Sequence, residues 1–311
     1  MEALTITGNG TLQQTSQGII AAYLEGLDVK PRSREAYRKA LKHFTEWIAG
    51  RGQAAANRAD ILAYKAHLQA HYKATTISAY MTAVKGLYTY LEAEHHYSNI
   101  AAGIKGAKNS KGFRKDALTI DQTRALLCSL DGQNVDALRD FALVNLLVQT
   151  ALRTIEVQRA NIGDIRQEGG AALLYIQGKG RDEKDAFVLL TEATLRPLRA
   201  YFKARGKVKE DQPLFVSHCN HQSESGRMTT RSISRIVKEA LKGAGMDSDR
   251  LTAHSLRHTA VTLSLLAGAS IQEAQGMARH SNINTTLIYA HNIDRIGKAP
   301  ERRIETLLAV S

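Results

Sequence analysis

A glycine- and lysine-rich segment divides this chain in two. Residues 103–115 read GIKGAKNSKGFRK and offer almost nothing that a core could bury. Such a composition is typical of a flexible connection, so we expect a basic linker over residues 105–117. We therefore expect a helical domain over residues 1–104, a second domain over residues 118–298 and a C-terminal tail over residues 299–311. A chain of 311 residues is long enough for two cores.

The first hundred residues show apolar positions three and four apart, which predicts helices, and no convincing alternation typical of strands. Four helices are predicted, around Ile19–Leu27, Tyr37–Ile48, Ile61–Leu68 and Ile77–Leu91. The pair Thr75 and Thr76 is a start signal for the fourth helix. The first domain is therefore expected to be entirely helical.

Cations surround the predicted start of the second helix. In the run Lys30-Pro31-Arg32-Ser33-Arg34, Ser33 is a candidate N-cap and the proline ends the preceding segment. A helix N-terminus with exposed cations suits a phosphate contact, which makes Lys30, Arg32 and Arg34 candidate DNA-binding residues. A merely solvated helix entrance explains the same run equally well.

The second domain mixes helices with a small amount of strand. A Thr119-x-x-Gln122 capping box opens one helix, and a longer helix ends near Thr150. Two short β-like runs, 172–177 and 185–190, flank a polar turn segment and predict a hairpin. Further helices are expected at 192–205, 229–243, 254–267, 271–279 and 284–290. The predicted fold class is mainly α with a small β-sheet.

The net charge of +12 and the isoelectric point near 9.7 favour a polyanionic partner. A basic enzyme unrelated to nucleic acid is the alternative. No apolar run is long enough for a membrane span, no signal peptide opens the chain, and Cys128 and Cys219 are too few for a disulfide framework. We expect a cytoplasmic protein that works at the nucleoid. The run 218–221, which reads HCNH, is interpreted as a polar loop rather than a metal site.

Chemistry-bearing residues concentrate in the last third of the chain. His254 and Arg257 stand three apart on a predicted helix, so both can meet one ligand. A guanidinium beside an imidazole suits a phosphodiester, and a later phenol, Tyr289, can act as the nucleophile. Taken singly, each residue has an ordinary explanation: Tyr289 suits a core position, and the pair His254 and His258 suits packing or surface rather than zinc binding.

Together these residues resemble the tyrosine recombinases, a family of integrases and chromosome-dimer resolvases. The family pattern is G-L-R-x-x-E, a lysine in a β-hairpin, H-x-x-R, a histidine or tryptophan in L-G-H, and a tyrosine about nine residues later. The matching positions, in order, are Arg153 and Glu156, Lys179, His254 and Arg257, His280, and Tyr289. The chain departs from the pattern at Ala151, at Ala278-Arg279 and at Asp185, which leaves Lys184 as a second candidate acid.

The resemblance implies a helical core-binding domain, a mixed α/β catalytic domain and a defined reaction. Tyr289 would attack the scissile phosphate to give a 3′-phosphotyrosine, with Arg153 and Arg257 on the non-bridging oxygens. Lys179 would be the general acid, His254 would handle the tyrosine proton and His280 would bind the phosphate. Glu156 would orient its neighbours. The resemblance implies no metal and no other cofactor.

Three functions are compatible with this pattern. The first is a site-specific recombinase of a mobile element or a Xer-like resolvase, the second a type IB topoisomerase, and the third a DNA-binding protein without catalysis. The complete residue set argues against the third. An apolar stripe in the tail, carried by Ile304, Leu307, Leu308 and Val310, predicts docking on a neighbouring subunit. We expect double-stranded DNA as the partner, with a tetramer on DNA and a monomer in solution.

Overall fold

The computed structural model describes residues 11–52, 56–94, 97–107, 116–178, 181–217, 226–297 and 300–308. The chain forms two compact units, Met1–Gly112 and Phe113–Ser311. Most of the predicted basic linker, residues 108–115, lies outside the described residues. Within the described ranges, no helix combines the length and the apolar character that a membrane crossing requires.

The first unit contains the four helices that apolar spacing predicts. They are α1 (Thr11–Gly26), α2 (Pro31–Ala49), α3 (Arg58–His71) and α4 (Ala74–Ala93). The apolar stripes of these helices meet in one core, whose most deeply buried members include Leu41, Ile61, Tyr64, Leu68 and Val84. The prediction of an all-helical first domain is confirmed over this part of the chain.

Two helices begin earlier than the sequence signals predict. The first helical hydrogen bonds of α2 are accepted by the Lys30 carbonyl, so Ser33 lies inside the helix and is not its N-cap. Proline explains this start, because at the first helical position it has no N–H to satisfy and its φ is already helical. In α4 the Lys73 carbonyl accepts the N–H groups of Thr76 and Ile77, which places the threonine pair inside that helix too.

The second unit surrounds a small antiparallel sheet with helices. The helices are α5 (Ile120–Ser129), α6 (Val135–Thr150), α7 (Thr154–Arg159), α8 (Glu192–Arg205), α9 (Thr230–Gly243), α10 (Ala253–Leu266), α11 (Ile271–Ala278), α12 (Asn284–Gly297) and α13 (Pro300–Leu308). The strands β1 (Ile165–Glu168), β2 (Ala171–Ile176) and β3 (Ala186–Leu190) lie in that order across the sheet. The capping box of Thr119 and Gln122 is present, and β2 with β3 confirms the predicted hairpin.

Helix α6 is the centre of this unit. Its residues Leu143, Val144, Leu146 and Leu147 are all fully buried, although they point in different directions around the helix. Helices α8 and α10 both pack against it. Because α6 is buried on several faces, the position of its C-terminus is fixed by the core. The residues that follow this C-terminus form the first part of the candidate site.

Gly86 allows α1 and α4 to approach closely. A Cβ at this position would overlap the Tyr23 hydroxyl and would lie 3.3 Å from Tyr23 Cζ. Glycine within a helix usually costs about 1 kcal/mol relative to alanine. We nevertheless expect Gly86→Ala to lower the free energy of unfolding of the first unit, because the buried ring of Tyr23 must move.

Denaturant unfolding followed by Trp47 fluorescence measures this change, since Trp47 is the single tryptophan and lies in the first unit. Gly18→Ala in α1 is the matched control, because nothing lies within 4 Å of its Cβ position. It should gain up to about 1 kcal/mol. Equal gains in both variants would contradict the close contact of Gly86 with Tyr23.

Candidate active site

Two left-handed turns form the frame of the site. Ala151 ends α6 with φ 53° and ψ 25°, and Arg279 ends α11 with φ 54° and ψ 46°. They are the two non-glycine residues with positive φ among those described. An L-residue pays roughly 1 kcal/mol for this conformation, and glycine is the usual solution at a helix C-terminus. Both turns fall where the sequence departs from the glycine of the family pattern.

Arg257 joins the two turns. From α10, its Nη1 donates to the Ala151 carbonyl and its Nη2 to the Ala278 carbonyl. The side chain is buried, and the carbonyls it binds lie at helix C-termini, where the helix leaves acceptors without partners. Arg257 therefore holds the ends of α6 and α11 at a fixed separation.

A fully buried carboxylate lies between two further arginines. Glu156 accepts hydrogen bonds from the Arg153 backbone N–H at 2.8 Å and from Arg153 Nη1 at 2.8 Å. Arg279 Nη2 donates to the same carboxylate at 2.9 Å and to the Ala151 carbonyl at 3.2 Å. Arg153 is the N-cap residue of α7, so the first turn of that helix places Glu156 beneath it. The predicted role of Glu156 in orienting its neighbours is consistent with this geometry.

The site carries more positive than negative charge. Burial by itself would raise the pKa of the Glu156 carboxyl, but the Arg279 charge and the hydrogen bonds from Arg153 hold it below its usual range. Burial, together with the charges of Arg153 and Arg279, lowers the pKa of Arg257 to about 9. A guanidinium stays protonated at neutral pH even so. The cluster therefore keeps more positive than negative charge in a buried setting, which favours an anionic ligand.

An anion has a place to bind. A pocket of about 310 Å³ opens beside the arginines. It is lined by Leu152, Arg153, Thr154, Ile155, Ser234, Thr252, Ala253, His254 and Arg257. His254 is exposed at this pocket, while Arg257 forms part of its buried wall. The structure thus brings together Arg153, His254 and Arg257 as the sequence predicts, in a space that suits a phosphodiester.

Tyr289 is buried against His258 and His280. Only 4% of its surface is exposed, and its hydroxyl is hydrogen-bonded to His258 Nδ1. Its ring stacks on His280 with centroids 6.3 Å apart and an interplanar angle of 13°. Burial raises the pKa of Tyr289 to about 12, with an opposing contribution from Arg257. Burial also lowers the pKa of both His258 and His280 to about 4, so both rings are neutral at pH 7.

His258 is the residue that the sequence interpretation missed. The sequence interpretation places His258 in packing or at the surface and assigns the tyrosine proton to His254, whereas the imidazole in contact with the Tyr289 hydroxyl is His258. A signal was available, because His258 follows His254 by one helical turn and shares its face of α10. The two rings meet edge to face with centroids 4.5 Å apart. His280 is oriented separately, through a 2.9 Å contact of its Nδ1 with Thr286 Oγ1.

The remaining predicted residues have different outcomes. Lys179, the predicted general acid, lies outside the described residues. Lys184, the second candidate, donates to both carboxylate oxygens of Asp164 at 2.6 Å and is thereby committed to a structural pair. Lys30 and Arg32 are exposed at the start of α2. Arg34 is half-buried, and its Nη2 donates to the Leu27 carbonyl at 2.9 Å, which fixes the turn after α1.

No group of side chains suited to metal binding occurs among the residues that the structure describes. The run 218–221 lies outside them.

Glu156→Gln tests the buried carboxylate. We expect a loss of about 3–5 kcal/mol in unfolding free energy at pH 7, because Arg279 is left buried without its counter-charge. Glu239→Gln, which breaks the exposed pair with Arg235, should cost at most about 1 kcal/mol. Thermal and denaturant unfolding measure both variants, and equal losses would refute the buried ion-pair interpretation.

The pH dependence has a definite sign. The pKa of Glu156 is lowered in the folded state, so its stabilising contribution is complete above the ordinary carboxyl range and is lost as the pH falls through the folded pKa. The stability difference between the wild type and Glu156→Gln should therefore shrink in acid.

Known families match both units of the chain. The phage integrase family matches residues 116–295, which is more than half of the chain. The N-terminal SAM-like domain of phage integrases matches residues 20–95. The comparison therefore covers the four-helix unit as well as the unit that holds the arginine cluster.

Individual relatives agree with this. The tyrosine recombinase XerC of Caldanaerobacter subterraneus subsp. tengcongensis is 33% identical over 177 residues, which are 56% of this chain and 46% of the relative. The tyrosine recombinase XerD of Rhizobium meliloti is 26% identical over 294 residues, which are 90% of this chain and 92% of the relative.

A solved structure shows the same fold. The XerH site-specific recombinase, bound to a palindromic difH substrate after cleavage, superposes with a TM-score of 0.73 at 20% identity. The alignment covers 93% of this chain and 86% of that one.

Proposed function

This chain belongs to the phage integrase family and is a tyrosine site-specific recombinase, and we propose that Tyr289 is the residue that joins covalently to DNA. One observation carries the proposal: the Tyr289 hydroxyl is hydrogen-bonded to a neutral imidazole, beside a pocket walled by arginines. A phenol that attacks a phosphodiester needs a base to take its proton and cations to bind the phosphate, and the imidazole and the arginines can supply these.

The proposed step exchanges one phosphoester for another. Tyr289 Oη forms a bond to phosphorus while the bond from phosphorus to the 5′-oxygen breaks. The phenolic proton passes to His258 Nδ1, the ring nitrogen that is hydrogen-bonded to the Tyr289 hydroxyl. The leaving 5′-oxygen takes a proton from Lys179, the acid that the sequence predicts. Rejoining is the same exchange in reverse, with a 5′-hydroxyl as the nucleophile.

Charge stabilisation comes from the arginines. Negative charge on the phosphoryl oxygens increases as phosphorus becomes pentacoordinate, and Arg153 and Arg257 line the pocket in which it develops. Their donors are held in place by Glu156 and by backbone carbonyls, so little reorganisation is needed at the moment of reaction. The scheme uses neither ATP nor a metal ion, because the covalent intermediate conserves the ester bond and guanidinium groups supply the positive charge.

Tyr289 must move before it can react. A hydroxyl on a side chain that is 4% exposed cannot reach a phosphate on an intact duplex. We infer that DNA binding displaces the part of α12 that carries Tyr289. Because His258 lies on α10 rather than on α12, the shift must keep the Tyr289 hydroxyl within hydrogen-bonding reach of His258 for the proton transfer proposed above.

We propose double-stranded DNA as the substrate and a tetramer on DNA as the active assembly. The biological role we propose first is integration of a mobile element, as the altered Ala278-Arg279 pair indicates. A Xer-like resolvase is the second candidate, favoured by the alignment with XerD of Rhizobium meliloti over 90% of this chain.

Trapping the covalent intermediate tests the central proposal. The protein is incubated with a pool of nicked duplexes of randomised sequence, denatured, and separated from free DNA. We expect a DNA adduct that survives denaturation, and we expect Tyr289→Phe to reduce it to background. A persistent adduct in that variant would remove Tyr289 from its role.

Tyr175→Phe is the matched control, because Tyr175 has a hydroxyl at the surface of β2 that contacts Glu168. It should form adduct at the wild-type level. The sequences enriched in the trapped DNA are then located in the source genome: matches to element ends indicate integration, whereas a match to a single chromosomal site indicates resolution.

Helix α13 is proposed to dock on a neighbouring subunit. Ile304, Leu307 and Leu308 are 54%, 83% and 70% exposed, which leaves an apolar face without cover in one chain. Val310 lies outside the described residues. We expect truncation before Pro300 to leave single-strand adduct formation measurable but to abolish complete strand exchange between two duplexes.

Leu62→Ser, which changes an exposed leucine of α3, is the control and should leave strand exchange intact. Full strand exchange by the truncated chain would contradict docking. Gel assays of adduct and of recombinant product, run on the same reactions, separate the two steps.

A further inference from the structure

Arg279 occupies a backbone position that favours glycine. Its φ of 54° and ψ of 46° end α11 in the left-handed region, at a cost of roughly 1 kcal/mol for any residue with a Cβ. The backbone gains nothing from an arginine there. What the arginine contributes must therefore come from its side chain.

The side chain of Arg279 is buried and reaches across the site. It is 14% exposed, and its Nη2 lies 2.9 Å from Glu156 Oε2 and 3.2 Å from the Ala151 carbonyl. Its Nη1 donates to the Met277 carbonyl at 2.6 Å, which folds the guanidinium back over the end of α11. Arg279 thus connects its own turn with the turn after α6 and with the buried carboxylate.

The charge balance shows what this connection does. If Arg153 alone faced the buried Glu156, the two would form a neutral pair, and the charge of Arg153 would be cancelled beside the phosphate pocket. Arg153 and Arg279 both contact Glu156, and Arg257 lies near enough to feel its charge. Three guanidinium groups and one carboxylate leave two positive charges in excess, whereas without Arg279 the excess would be one. A phosphodiester brings one negative charge, and its pentacoordinate transition state brings a second. The excess matches the transition state rather than the ground state.

We propose that Arg279 is a positioning residue for DNA cleavage: it neutralises Glu156, which directs the charge of Arg153 toward the scissile phosphate. The inference rests on the proposed function of the pocket. Arg279 does not line that pocket in the described structure, so it acts through Glu156 and the Ala151 turn rather than by touching the DNA.

The direct test is the rate of adduct formation under single-turnover conditions, with the nicked duplex pool as the probe. We expect Arg279→Gly to lower the rate about ten- to a hundredfold, the range for residues that orient a reacting group, while affinity for the same duplexes stays within about threefold. Arg279→Lys should recover part of the rate, because an ammonium can face Glu156 but cannot bridge three acceptors. Wild-type rates in Arg279→Gly would overturn the proposal.

The pH profile distinguishes positioning from a loss of fold. Without Arg279, burial raises the pKa of Glu156, so the acid limb of the rate profile should move to higher pH in Arg279→Gly and return in Arg279→Lys. Arg199→Ala removes one charge from an exposed pair on α8 and is the control, expected to stay within about twofold of the wild-type rate with an unmoved limb. An unmoved limb in Arg279→Gly would refute the role.

Two further measurements keep the result decisive. Should Arg279→Gly fail to fold, Arg279→Gln replaces it, since glutamine retains a hydrogen-bonding side chain without charge. A wild-type rate in that variant overturns the proposal.

Acid unfolding in the absence of DNA tests only whether Arg279 neutralises Glu156. The stabilising contribution of Glu156 should be lost at higher pH in the uncharged variant than in the wild type, and coincident curves overturn the proposal.

The failures are separable. A persistent adduct in Tyr289→Phe would contradict the role of Tyr289 as the nucleophile but would not affect the acid-unfolding comparison. Coincident acid-unfolding curves of the wild type and the uncharged Arg279 variant would contradict the role of Arg279 but would not affect the adduct result.

Discussion

The two hydrogen bonds of Arg257 to the carbonyls of Ala151 and Ala278 are the constraint on which the site depends. Helix C-termini leave carbonyls without partners and carry partial negative charge, so a buried guanidinium satisfies both ends at once. Charged hydrogen bonds of this kind contribute about 1.5–3 kcal/mol each. Because α6 is buried all round and α11 is tied to it, the residues that follow each helix are placed by the core rather than by a loop.

The same arrangement accounts for the strained character of the site. Two residues hold left-handed turns without the help of glycine, and two guanidinium groups contact one buried carboxylate while a third lies nearby. Such strain persists only where the surrounding structure over-determines it. In a phosphoryl-transfer site the repulsion among the guanidinium groups is useful. The negative charge of a bound phosphate offsets this repulsion, and the larger negative charge of the transition state offsets more of it. The cost to folding is offset by the core of the second unit.

Local sequence patterns predicted much of the fold, and the exceptions are instructive. Periodicity found the helices of both units because each presents an apolar stripe to a core. It missed β1 because no residue of that strand is buried, and it missed α7 because six residues make fewer than two helical turns. It misplaced the starts of α2 and α4, because the N-cap residue of each is a lysine whose side chain makes no cap hydrogen bond and so leaves no capping signal in the sequence.

The sequence alone determined the family resemblance, the order of the motif residues and the prediction that Arg153, Glu156, Lys179, His254, Arg257, His280 and Tyr289 act together. Only the tertiary structure decided which side chains these residues contact, and it added Arg279 and His258 to the site. Arg279 meets Glu156 from 123 positions away, and the hydroxyl of Tyr289 meets His258 from 31 positions away. The reason is physical: spacing along a helix specifies which residues share a face, but what lies opposite that face is set by how the helices pack.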